Sequence, residues 1–159
     1  MSDPVRLRPK SPSPVFPPRL PARFARTPPA VFPVILGLLG LGLALKRGLL
    51  ALALDPGLAD AVLGAVTALW AFAVFAYAAK VLRRASVVMD DLRVLPGRTG
   101  LAAMSMGGML VAVELAVFSP PLAKALLTGA LALHLGLAAL LVAVLRGLPP
   151  EGRVVTPAL

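Results

Sequence analysis

Residues 122–145 read LAKALLTGALALHLGLAALLVAVL, and that run decides the fold class. As an α-helix it measures about 36 Å, longer than the ~30 Å hydrocarbon core of a bilayer. Lys124, its one charged residue, sits in the first turn, and Arg146 follows directly after its end. Apolar side chains recur on every side of such a helix, so it has no polar face to turn toward water. A second run of the same kind covers 58–82. Asp60 falls in its first turn and Lys80 in its last, the order that complements the helix dipole. Two shorter runs, 30–45 and 99–118, complete a set of four. The expected fold is an all-α membrane protein of four transmembrane helices (30–45, 58–82, 99–118 and 122–145), paired as two helical hairpins.

The segments between the runs carry turn chemistry. Asp55-Pro56-Gly57 separates the first two runs, and Ser119-Pro120-Pro121 separates the last two. A longer polar stretch, 83–98, lies between the hairpins and contains Asp90-Asp91, Arg93 and Pro96-Gly97. Residues 1–29 are rich in Pro, Arg and Ser and read as a disordered cytoplasmic tail. Residues 147–159 read as a short cytoplasmic tail, which leaves 30–146 as the transmembrane domain. The first run is about 24 Å long, short for a bilayer, but Lys46 and Arg47 at its end can snorkel to the interface. Those two cations stand before Ala51-Leu52-Ala53, where a cleaved signal peptide would be neutral.

Composition supports hydrocarbon as the solvent: 58% of the chain is apolar and 14% charged, against about half and a quarter in soluble domains. The chain has no cysteine, one histidine and seven acidic residues. That excludes a disulfide framework and a thiolate metal site, and leaves little material for catalysis. The net charge is +9, but no soluble scaffold presents the basic residues to nucleic acid, so they read as topology signals and headgroup contacts. Arg6, Arg8, Lys10, Arg19, Arg23 and Arg26 precede the first run. Lys80, Arg83, Arg84, Arg93 and Arg98 surround the middle loop, and Arg146 and Arg153 follow the last run. Against these thirteen, the other side holds Lys46, Arg47 and Lys124. The positive-inside rule then places both termini in the cytoplasm, and the expected location is a bacterial inner membrane.

Helical spacing gathers small residues into stripes. The first helix collects Ala30, Pro33, Gly37, Gly40 and Ala44; the third collects Gly100, Ala103, Gly107 and Glu114; the fourth collects Ala125, Gly129, Ala132, Gly136, Ala139 and Ala143. Two readings stand side by side. Small residues allow helices to pack closely, or Gly37, Gly40, Gly107 and Gly108 form the wall of a narrow conduit. Gly107-Gly108 also permits a mid-helix bend. Glu114 is costly inside a span and is expected either to face protein or to sit hydrated near the outer boundary. No charge pair is evident within the spans. His134, on the face opposite its helix's stripe, is expected to hydrogen-bond another helix or subunit. Trp70 and Tyr77 read as packing residues. Asp90-Asp91 beside Arg93 reads as a charge-balanced loop. No phosphate loop, nucleophile elbow or metal motif is present.

Three segments resemble one family. Pro29-Ala30-Val31-Phe32-Pro33-Val34-Ile35-Leu36-Gly37 through Gly40–Ala44, then Val88-Met89-Asp90-Asp91-Leu92-Arg93 leading to Met104-Ser105-Met106, then Glu151 to Thr156-Pro157 follow one another in the chain. In order and spacing they resemble the N-terminal portion of the tellurite-resistance/C4-dicarboxylate transporter (TehA-like) and slow-type anion channel family. The resemblance implies two of five helical hairpins of a ten-helix channel fold, and hence a truncated form. It implies a membrane transport protein for small anions or dicarboxylates, completed as a homo-oligomer or by other helices. The family's gating phenylalanine has no counterpart here. No cofactor and no enzymatic activity are implied. The alternative is a non-transporting membrane scaffold or assembly subunit.

Overall fold

The structure, a computed structural model, describes residues 28–147 and is helical throughout, with no strand among the described residues. A 3-10 turn, Pro29–Val31, leads into α1 (Phe32–Ala51). Then follow α2 (Gly57–Arg83), the short α3 (Val87–Arg93), α4 (Leu95–Leu115) and α5 (Pro120–Gly147). Three helical stretches, Pro29–Ala51, Gly57–Arg83 and Pro120–Gly147, are long and apolar enough to cross a membrane. α4 is not among them, because Arg98, Glu114 and its glycines dilute its apolar content. The N-terminal tail, the C-terminal tail and the Glu151–Pro157 segment of the resemblance lie outside the described residues.

The most polar of the long helices is also the most enclosed. α4 packs against α5 and α1 and touches α2, while α1 packs against α2. Leu101, Ala103, Met104 and Val111 of α4 share one buried apolar cluster with Phe32, Ile35 and Leu39 of α1 and Leu63, Ala73 and Tyr77 of α2. α5 fully buries only Ala123 and Ala130. Close approach depends on glycine. A Cβ at Gly42 would lie 2.8 Å from the Leu63 side chain, and one at Gly100 would overlap the backbone of Pro29.

The helix boundaries differ from the apolar runs, each for a local reason. α1 continues past 45 to Ala51, because Lys46 and Arg47 end a hydrophobic run without breaking a helix. It stops in a Schellman motif, in which Leu54 N–H donates to Leu49 C=O at 2.9 Å and Ala53 N–H donates to Leu50 C=O at 3.1 Å. The polar stretch 83–98 contains α3, and α4 begins at Leu95, so that Pro96 occupies its first turn, where a missing N–H costs nothing. α4 stops at Leu115, short of the expected 118, in a turn in which Ser119 N–H donates to Leu115 C=O at 2.8 Å. The Asp55-Pro56-Gly57 turn forms as the sequence indicates, with Gly57 N–H donating to Asp55 Oδ1 at 2.9 Å.

Ala53 holds the left-handed position of the Schellman motif, with φ 55°, where glycine is the unstrained residue. Ala53→Gly is therefore expected to stabilise the folded protein by about 1 kcal/mol, measured by reversible unfolding in mixed micelles.

Candidate functional site

Charges that the sequence scatters over three helices meet at one end of the bundle. Lys46, in the penultimate turn of α1, places its Nζ 2.8 Å from Asp60 Oδ1 in the first turn of α2 and 2.9 Å from Glu114 Oε1 in the last turn of α4. It also lies 3.2 Å from Glu114 Oε2. The Lys46 and Glu114 side chains are 17% and 11% exposed, and that of Asp60 is 42% exposed. Glu114 therefore faces protein. The expectation of no charge pair within the helices is corrected here: Lys46 and Glu114 pair across the bundle. The pairing was hidden because Lys46 read as a residue snorkelling toward water.

A second polar cluster closes the opposite end. Tyr77 donates its hydroxyl to Asp91 Oδ2 at 2.8 Å, and Lys80 Nζ lies 3.4 Å from the same oxygen and 5.4 Å from the Tyr77 ring centre. Phe32 packs edge-on against Tyr77, with ring centres 6.2 Å apart. Asp90 pairs instead with Arg84 at 2.9 Å. Asp90 and Asp91 thus face different partners and do not converge on a common point.

Between the two ends, α4 makes two polar contacts. Trp70 of α2 donates its indole N–H to Met104 C=O at 3.1 Å. Ser105 Oγ lies 2.8 Å from His134 Nδ1 of α5, so the single histidine bonds to a neighbouring helix, as its position suggests. A serine beside a histidine raises the question of nucleophilic catalysis. Ser105, however, is 2% exposed and also donates within its own helix to Ala102 C=O at 2.9 Å. The backbone N–H groups around it belong to the middle of α4, where the helix uses them, so they cannot cradle an oxyanion. The contact ties α4 to α5. Among the described residues no group of three acidic or histidine side chains could hold a metal ion.

The four glycines proposed for a conduit do not come together. Gly107 and Gly108 are buried under Trp70. A Cβ at Gly107 would lie 2.9 Å from the indole Cδ1 and Nε1, and one at Gly108 would lie 3.0 Å from Cζ2 and 3.2 Å from Ala130 Cβ. These two glycines admit the tryptophan, and α4 runs on through them as one helix. Gly37 and Gly40 have nothing within 4 Å of a built Cβ; Gly37 is exposed on the side of α1 turned away from Phe32, Ile35 and Leu39, and Gly40 is half-buried at its flank. The stripe on α5 is likewise exposed along its length, from Ala125 through Gly129, Ala132, Gly136 and Ala139 to Ala143. Trp70 was legible as a packing residue, but its seat on Gly107-Gly108 was not, because the sequence does not state which helices are neighbours.

Compared with known protein families, curated proteins and solved structures, the chain matches none.

Two stability measurements check this geometry. Lys46→Met strands two carboxylates and should cost about 2 kcal/mol, less than the ~3–5 kcal/mol of a fully buried pair because the site is partly wet. Adding Glu114→Gln should recover at least ~1 kcal/mol of that in a double-mutant cycle. Gly107→Val should cost about 1–3 kcal/mol by overpacking against Trp70, and should add little once Trp70→Ala has removed the indole.

Proposed function

We propose that the chain is an integral membrane protein of four spans, α1, α2, α4 and α5, that works in an assembly of helices as a membrane transport protein. On the sequence resemblance, its cargo is a small anion or a C4-dicarboxylate. Both termini are cytoplasmic, by the distribution of Lys and Arg.

α4 is about 31 Å long, enough to cross, and its charges lie near its ends. Glu114 is matched by Lys46 at one end, and Arg98 reaches the other. Its polar middle is covered by Trp70 and His134. Enclosure by neighbours supports a span that composition alone disfavours.

The observation that carries the assembly is the direction of the stripes. The small-residue faces of α1 and α5 point away from the chain's own core. In hydrocarbon, helices associate where small residues let their backbones approach. Bare stripes on two helices therefore favour further helices packed outside, from a second copy of the chain or from other helices that complete the bundle. An anion path in such an assembly would run along these outer faces.

The second reading, a non-transporting scaffold or assembly subunit, also has an observation in its favour. Trp70 fills the small-residue face of α4, so the centre of one chain is packed.

Because the chain has no native cysteine, single cysteines report cleanly. Gly37→Cys and Gly136→Cys should cross-link in native membranes with a short bifunctional thiol reagent, and Leu38→Cys, on a different side of α1, should not. Vesicles holding the verified oligomer should then pass chloride, nitrate or malate. Cross-linking without flux removes the transport reading and leaves the scaffold.

A further inference from the structure

Between Thr128 and Arg146, His134 is the only polar residue of α5. The helix runs Pro120–Gly147, so the imidazole stands about 20 Å from either end. That is deeper than headgroups reach into a hydrocarbon core ~30 Å thick. Ser105 holds its Nδ1 at 2.8 Å, and its Nε2 has no hydrogen-bond partner among the described residues. The ring stands half-buried on the wall of an apolar crevice of about 180 Å³. Leu101 and Ala102 of α4 form one side of the crevice, and Leu137, Ala138 and Leu141 of α5 form the other. Arg98 also borders it, about 10 Å along α4 from the level of Ser105. Its guanidinium is engaged at the end of α3, donating Nε–H to Leu92 C=O at 2.8 Å and Nη2–H to Arg93 C=O at 3.2 Å.

We propose that this crevice binds the ring of a lipid-soluble quinone, with one ring oxygen on His134 Nε2 and the tail in the bilayer. The inference rests on the reading that the chain spans a membrane.

An imidazole nitrogen at this depth calls for a hydrogen-bonding partner that is itself soluble in hydrocarbon. A bound water needs about two to four polar partners, and the walls beside His134 are apolar. An acyl chain would match those walls and leave Nε2 unmatched, and a carboxylate would carry charge where charge is disfavoured. Further helices packed on the small-residue stripe of α5 would stand on its other side, since Ala132 and Gly136 are each about 160° around the helix from His134. A quinone ring is apolar and presents uncharged oxygens at its edge. The crevice is smaller than the ~300–1,000 Å³ that encloses a whole drug-sized ligand, and suits one ring with its tail outside. Ser105 lets the site meet either redox form. Its single hydroxyl proton has two acceptors within reach, Ala102 C=O at 2.9 Å and His134 Nδ1 at 2.8 Å. Directed to Nδ1, it leaves the imidazole proton on Nε2, a donor to a quinone oxygen. Directed to Ala102, it lets Nδ1–H donate to Ser105 Oγ and leaves Nε2 as an acceptor for a hydroquinone hydroxyl.

Because the chain has a single histidine, nuclear magnetic resonance of the full chain in micelles, isotopically labelled at histidine nitrogen, reads this site alone. The two probes are decylubiquinone and, in the absence of oxygen, decylubiquinol. Decylubiquinone should saturate at one equivalent per chain with the imidazole proton on Nε2, and decylubiquinol should move that proton to Nδ1. His134→Phe should weaken decylubiquinone binding at least about tenfold. Ala138→Trp fills the crevice from an exposed position on its wall with Ser105 and His134 both intact, and should weaken binding to the same degree. Leu135→Trp, exposed at the same depth but off the crevice wall, should bind as the unaltered chain does. Imidazole signals that neither probe moves, or undiminished binding in Ala138→Trp, overturns the site while the chain still fractionates with membranes. Recovery of the chain as a soluble protein without detergent overturns the membrane reading and the site together.

Discussion

An ammonium held between two carboxylates ties three helices together at one end of this protein. Lys46 sits 2.8 Å from Asp60 and 2.9 Å from Glu114, each on a different helix. A carboxylate in a span is disfavoured where it meets lipid alone. Pairing offsets that cost only when α1, α2 and α4 are brought to a common level and rotated so that these side chains face each other. Meeting that condition sets the register of the first hairpin against α4. The Tyr77–Asp91–Lys80 cluster imposes a similar condition at the opposite end. The apolar contacts between the two ends give attraction with little direction, since Leu against Leu is satisfied in many registers and lipid tails compete equally. The polar contacts at the ends, with Trp70–Met104 and Ser105–His134 between them, supply the specificity that the apolar contacts lack.

Small residues set how close the helices come. Trp70 reaches Met104 C=O only because Gly107 and Gly108 leave room for its indole. Gly42 admits Leu63, and Gly100 admits the backbone of Pro29. On these faces glycine serves packing. On α1 and α5 the same spacing of small residues faces largely outward, and a Cβ built at Gly37, Gly40, Gly129 or Gly136 would have nothing within 4 Å. One compositional signal thus has two structural outcomes, depending on which way the helix is turned.

That ambiguity explains which features were legible in the sequence. Three apolar helices and the Asp55-Pro56-Gly57 turn could be read directly, because length and local turn chemistry determine them. The helix ends moved where local chemistry outweighed hydropathy: a Schellman motif carried α1 to Ala51, and Pro96 opened α4 inside a stretch that read as loop. α3 was missed because a helix of 7 residues, about two turns, with charged residues is too short to show a periodicity. Of the candidate site residues, Gly107 and Gly108 are paired with Trp70, Glu114 with Lys46, and Gly37 and Gly40 with no close neighbour among the described residues. Each of those outcomes depends on helix rotation and neighbour choice. Weakly amphipathic helices in an apolar chain do not encode these locally, and residues 46 and 114 are 68 positions apart.

The account turns on α4, the enclosed helix whose composition alone does not qualify it as a span. If it crosses, Ala85 before α3 and Ser119 after α4 lie on opposite sides of the membrane. The most direct measurement is labelling of single cysteines at these two positions in intact cells with a membrane-impermeant thiol reagent. Ser119→Cys should label at once and Ala85→Cys only after permeabilisation. Both positions labelling together, or both staying protected, would mean that α4 does not cross and would contradict the four-span arrangement.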